Sequence, residues 1–329
     1  MRRTTAWTLA LGVGLPLSFA GVGSVLLRMQ SARLRRAVDL DSRRRIPDLD
    51  LLVDSRLGRF EPLPPADRDA EDFPALAVLG DSWLAGLGVG HRRRTPPLLL
   101  ARGLSTMLDR PVRLRSVARP SARADDIVDQ VHAVLSDRRL RRSRSGAGEA
   151  RYAVISMGTA DLIHPITGSI GIPVLSNAIN RLQREGGYRV IVLTCPNLGL
   201  PGTPRPLRDV LRRSSRVLSG SQWLAAVSTG AVPVSTNRAL AGTSRIGLIS
   251  IEGRYPSPLG YAQLSAAVLR RIASDLDLPR AVLPGGEEPP ANEGAELAHP
   301  SGPSGPRTST LREAPDDRRP APDPEEIPS

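Results

Sequence analysis

One hydroxyl in the chain stands where it could act as a nucleophile. Ser82 follows the apolar run Ala75 to Leu79, which breaks at Gly80-Asp81-Ser82. The run has the length of a buried strand, and glycine tolerates the tight turn that ends it. A strand that turns sharply leaves such a Ser at the carboxyl edge of a sheet, where open α/β folds bind ligands. A Ser nucleophile needs a neighbouring base, most often His. The four histidines are scattered: His91 in an Arg run, His132 on a predicted helix, His164 in a loop and His299 near the C-terminus. That spread makes no metal-ligand pattern. The alternative, that Asp81-Ser82 merely opens a loop or helix, stays open on these residues alone. Cys195 closes a predicted strand before Pro196 and reads as a buried structural thiol. Gly86, Gly88 and Gly90 do not make a dinucleotide loop, because the third glycine falls one residue early.

Composition removes further chemistry. Every one of the 45 basic residues is Arg. Without lysine there is no Walker A loop, no Schiff-base cofactor and no kinase-type Lys. A single cysteine allows neither an internal disulfide nor a multi-cysteine zinc site. The net charge of +12 fits an Arg-only, GC-rich coding bias, and aromatics, which would stack on bases, are only 3%. No cofactor, no metal and no nucleic-acid partner are expected.

The elements that would position Ser82 alternate along the chain. Predicted strands cover 75–79, 112–117, 152–157 and 189–195, with shorter ones at 231–234 and 246–251. Predicted helices cover 96–108, 124–135, 170–185, 207–227 and 258–276. Such alternation predicts a three-layer α/β/α sandwich built on a parallel sheet. Ahead of it, Thr4 to Leu27 is an uncharged run of 24 residues. At 1.5 Å per residue it would span about 36 Å, enough to cross a bilayer. Residues 1–27 are therefore read as a single-pass membrane anchor, with a signal peptide cleaved after Ala20 as the alternative. Arg28, Arg33, Arg35, Arg36 and Arg43 to Arg45 outnumber Arg2 and Arg3, which favours a cytoplasmic folded domain. Residues 28–73 are read as an Arg- and Pro-rich tether, 74–283 as the folded domain, and 284–329 as a disordered acidic, Pro-rich tail.

Several motifs, in order, carry a resemblance. Gly80-Asp81-Ser82 resembles the opening block of the SGNH, or GDSL, hydrolase family. Residues 116–122, Ser-Val-Ala-Arg-Pro-Ser-Ala, resemble its second block, and Gly158 to Asp161 its G-x-N-D block. Thr194 to Gly199 is similar to a run in actinobacterial members. Glu252 to Tyr261 resembles the closing D-x-x-H-P-S-x-x-G-Y block. The match covers residues 74 to 277 and implies the flavodoxin-like SGNH fold.

The resemblance also implies roles, and several positions depart from them. Ser82 holds the nucleophile position. Ser121 stands where a Gly supplies an oxyanion amide, and Ala160 where an Asn donates to the oxyanion. Glu252 holds the triad Asp position and Tyr255 the triad His position, in a register fixed by Pro256, Ser257, Gly260 and Tyr261. A Tyr with a pKa near 10 is protonated at pH 7 and is no general base. Loss of a triad member lowers turnover by about 10⁴ to 10⁶, and loss of an oxyanion donor by about 10² to 10³. The resemblance therefore implies a catalytically impaired scaffold that binds a ligand or partner at its cleft. The ligand would be a small acyl ester or glycan-like molecule. The alternative is an active esterase or acyltransferase using His164 as a substitute base.

Overall fold

The structure is a computed structural model of the 329-residue chain. It describes residues 24–62 apart from 42, 44, 45 and 47, residues 73–140, 150–163, 171–241 apart from 201, 245–249 and 254–278. The chain divides into units 1–286 and 287–329, and every described residue belongs to the first. Most of the expected anchor, the expected tail, Glu252, His164 and His299 lie outside the described residues.

Helix α1 (residues 24–41) precedes strands β1 (Leu49–Asp54) and β2 (Arg59–Pro62). Strand β3 (Ala75–Gly80) and the short helix α2 (Ser82–Ala85) follow, then α3 (Pro96–Leu108), β4 (Val112–Ser116) and α4 (Asp126–Ser136). Next come β5 (Arg151–Ser156), α5 (Thr159–Ile163), α6 (Ile172–Arg184) and β6 (Arg189–Leu193). The chain continues through α7 (Leu207–Ser228), β7 (Val232–Val234), α8 (Thr236–Ala239), α9 (Arg245–Leu248) and α10 (Pro258–Asp275).

The sheet runs β2-β1-β4-β3-β5-β6-β7. From β4 to β7 all pairs are parallel. Strand β3 shows why: all six of its residues are buried, and successive side chains enter opposite cores. Leu76 and Val78 join Leu104, Leu264 and Val268 on the α3/α10 face. Ala75, Ala77 and Leu79 join Ile127, Val131 and Ile179 on the face covered by α4, α6 and α7. Helix α4 buries Ile127, Gln130, Val131 and Val134, the 3.6-residue spacing of one helix face.

Two expectations are corrected. The stretch read as a tether contains α1 and a β-hairpin, and β1 pairs antiparallel with β4, Leu49 opposite Ser116. The sheet is therefore mixed, parallel in its main run with two antiparallel strands at one edge. The physical reason is local: Leu49 and Val53 reach the core, while Asp54 accepts from the Arg56 and Leu57 amides to turn the hairpin at Gly58. Of the strand expected at 246–251, residues 246–248 belong instead to helix α9 and Ile249 makes a single bridge with Pro256, while 250 and 251 lie outside the described residues. Leu248 is buried there against α10 rather than in the sheet. Among the described residues no helix is long and apolar enough to cross a membrane.

Candidate active site

Ser82 is placed by backbone geometry. Gly80 has φ +139°, and a Cβ there would lie 2.0 Å from the Ser156 carbonyl oxygen. Only glycine fits so close an approach of β3 to β5. Asp81 then caps α2, its carboxylate accepting the Trp83 amide at 3.1 Å and the Thr159 amide at 3.3 Å. Burial raises the Asp81 pKa from 3.8 to about 6, against the lowering effect of those hydrogen bonds. Ser82 begins α2 and is 4% exposed. It was expected to be exposed at the sheet edge; it is buried and lines a cavity there instead.

Two buried glutamines, which sequence reasoning missed, brace the strand ends. Gln130 accepts the Gly80 amide at 2.6 Å and donates to the Gly80 carbonyl at 3.1 Å. Gln222 accepts the Cys195 amide at 2.6 Å and donates to the Met157 carbonyl at 2.8 Å. The signal was a polar side chain on the apolar face of each helix, at positions 130 and 222. Cys195 itself is wholly buried, and burial pushes its thiol pKa upward.

The second loop contacts the Ser82 hydroxyl. Ser121 adopts φ +57°, a left-handed conformation that favours glycine, and its amide donates to Ser82 Oγ at 2.9 Å. Its own hydroxyl is buried and unpartnered among the described residues. On α5, Ala160 presents a methyl group, and Asp161 accepts the Ala124 amide at 3.2 Å, tying this block to the second loop. Burial also raises the Asp161 pKa.

Ser82, Ser121, Thr159, Ala160, Arg254 and Tyr255 line one cavity of about 50 Å³. Apolar side chains close it: Leu34 and Val38 from α1, Ile163 from α5, and Leu198, Leu200 and Leu211. The structure thus brings together four of the six residues singled out in the sequence; Glu252 and His164 are outside the described residues. Tyr255 is buried, and its hydroxyl has no hydrogen-bond partner among the described residues. Burial, and then the nearby Asp41 carboxylate, push its pKa above the ordinary tyrosine value. Next to it Arg254 pairs with Asp41, both Nε and Nη2 lying 3.0 Å from one carboxylate oxygen. Neither Asp41 nor Arg254 was marked by the sequence, because the pair joins residues 213 apart.

The residues that fixed the register of the last block all have structural work. Ser257 caps α10 by accepting the Gly260 amide at 3.1 Å. A Cβ on Gly260 would lie 2.1 Å from the Leu248 carbonyl. Tyr261 donates to the Leu87 carbonyl at 2.8 Å, locking α10 to the loop after α2. Among the described residues no group of three or more His, Cys, Asp or Glu side chains could hold a metal ion.

A parallel-centred α/β/α sandwich with a Ser at the tip of its first parallel strand, an amide of the next loop on that Ser and this order of blocks resembles the SGNH, or GDSL, hydrolase arrangement. No family model matches the chain. It is 29% identical over 214 residues to the GDSL-like esterase Rv1075c of Mycobacterium tuberculosis. That match spans 62% of this chain and 64% of the relative, less than two thirds of the relative's length. Solved structures it resembles include a lipase/acylhydrolase from Enterococcus faecalis, with 16% identity, a TM-score of 0.47 and coverage of 62% of this chain and 97% of that one. Axe2, an acetylxylan esterase from Geobacillus stearothermophilus, shows 15% identity and a TM-score of 0.47, over 60% and 94% of the two chains.

Proposed function

We propose that the protein is a catalytically impaired SGNH-type module that binds a ligand or partner at the cleft over Ser82. One observation carries this reading: the side chain facing the cavity at the triad His position is Tyr255, buried and without a hydrogen-bond partner among the described residues. A neutral phenol with a raised pKa offers a proton and cannot accept one from Ser82 at pH 7. Ala160 gives no side-chain donor to an oxyanion. Among the described residues the buried hydroxyls of Ser121 and Tyr255 have no hydrogen-bond partner, and an unsatisfied buried hydroxyl costs about 1–3 kcal/mol. A ligand with acceptor oxygens, a small acyl ester or glycan-like molecule, would satisfy both.

The test is a fluorophosphonate, which reacts only with an activated Ser. The wild-type protein and Ser82→Ala should label equally weakly and hydrolyse short acyl esters at the same background rate. A second reading, an active esterase or acyltransferase using His164 as base, is favoured by the intact Ser121 amide contact on Ser82 Oγ. Labelling that vanishes in both Ser82→Ala and His164→Ala would establish that reading and end the first.

The uncharged run Thr4 to Leu27 supports a membrane-anchored form, with the domain on the cytoplasmic side. Mature protein whose N-terminal residue lies near Gly21 would show a cleaved signal peptide instead. Labelling of the domain from outside the cell would overturn its side.

A further inference from the structure

Helix α1 stands apart from both large cores. Neither core cluster contains any of its residues. Its apolar seat is the small cluster of Leu198, Leu207 and Leu211, against which Leu27 and Leu34 pack. Two polar ties fix its ends. Near the start, Gln30 donates to the Arg205 carbonyl at 2.8 Å and accepts the Leu207 amide at 3.2 Å. At the end, Asp41 pairs with Arg254, the residue beside Tyr255. Between these ties Leu34 and Val38 form part of the wall of the Ser82 cavity.

We propose that α1 is a gate supplied by the chain itself, which occupies the mouth of the Ser82 cleft and must lift before any ligand enters. Position is the first argument. Leu34 and Val38 of α1 stand in the wall of the same cavity as Ser82, Ser121 and Tyr255. Attachment is the second. A segment held by a small apolar cluster and a few polar contacts opens locally at lower free energy than strands buried in a core. The Asp41 and Arg254 side chains are 15% and 30% exposed, so the end tie is partly open to screening by salt. Lifting α1 removes Leu34 and Val38 from the wall and leaves Ser82, Ser121 and Tyr255 facing solvent. The inference does not depend on whether Ser82 is catalytically active.

A thiol at position 82 tests it in the full-length chain. Ser82→Cys is nearly isosteric, and wild type is the blank, because Cys195 is buried with its pKa raised. The reagent is 5,5′-dithiobis(2-nitrobenzoate). Ser82→Cys should react about 100-fold more slowly than an exposed thiol, and adding Asp41→Asn or Val38→Ser should accelerate it about 10-fold with melting unchanged. In the single variant, the labelling rate should rise shallowly with urea, as for local opening, and raised salt should increase it. Labelling that is fast from the outset would overturn the gate. So would a rate that tracks global unfolding with its steep urea dependence, or one indifferent to Asp41→Asn in a folded protein. This readout does not use hydrolysis, so its failure leaves the binding-module reading standing, and failure of that reading leaves the gate standing.

Discussion

The two halves of the Ser82 cleft are kept by different physics. On the Ser82 side, backbone constraints hold the geometry: the close approach of Gly80 to Ser156, the Asp81 cap and the left-handed turn at Ser121. On the opposite side, the frame of the last block is equally firm, with the Ser257 cap, Gly260 against Leu248 and Tyr261 on Leu87. The two sides differ in the side chains they carry: beside this second frame stands Tyr255, where the resemblance expects a His. The framing contacts run through caps and backbone groups, so they hold the cleft whatever side chain stands at position 255.

The largest effect should come from installing the expected groups on the Tyr255 side. Tyr255→His, Glu252→Asp and Ala160→Asn together should raise Ser82-dependent hydrolysis of short acyl esters by at least about 100-fold. The gain should disappear in Ser82→Ala. No gain in a folded triple variant would mean that the two halves no longer face each other in reacting geometry.

Stability measurements sharpen the comparison. Gly80→Ala sets a methyl group 2.0 Å from the Ser156 carbonyl in a left-handed conformation, so urea unfolding should show a loss of about 4 kcal/mol or no folded protein. Asp81 should give a pH signature on the same side. Its folded pKa of about 6 lies above the unfolded 3.8, so the native state binds the extra proton between those values. Stability from this group is therefore fully present below pH 3.8 and lost as pH rises through 6, by roughly 3 kcal/mol. Asp81→Asn should flatten that part of the curve; equal slopes in both proteins would show that Asp81 is not desolvated.

The smallest effect belongs to the Tyr255 side. Tyr255→Phe removes a buried hydroxyl without a partner among the described residues and should raise stability by about 1 kcal/mol. A loss would mean the hydroxyl is bonded. It would also sink the claim that it awaits a ligand.

Much of this frame was legible in the sequence because it is written in short-range signals. The buried run of β3, Pro96 at the start of α3 and the helical spacing of Ile127, Val128, Val131 and Leu135 are local patterns. What escaped was made by distance. The hairpin residues Leu49 and Val53 read as tether because Asp and Arg surround them, and only pairing with β4 reveals them as strand. Gln130 and Gln222 look like ordinary helix residues until their amides meet the ends of β3, β5 and β6. The 246–251 stretch had strand-like composition, but among the described residues the sheet ends at β7 and 246–248 are helical.

The hairpin has a consequence for the order in which the molecule assembles. β1 finds its sheet partner in β4, with Leu49 opposite Ser116, and not in the next parallel strand along the chain. During synthesis that partner emerges well after β1, and the contacts of α1 with Leu207 and Arg254 form only when most of the chain is out. Contacts of such long sequence separation close late. The nascent chain therefore completes its catalytic-type sheet edge before it can cover it, and pulse-labelled hydrogen exchange during refolding should find α1 protected after β3 and β5.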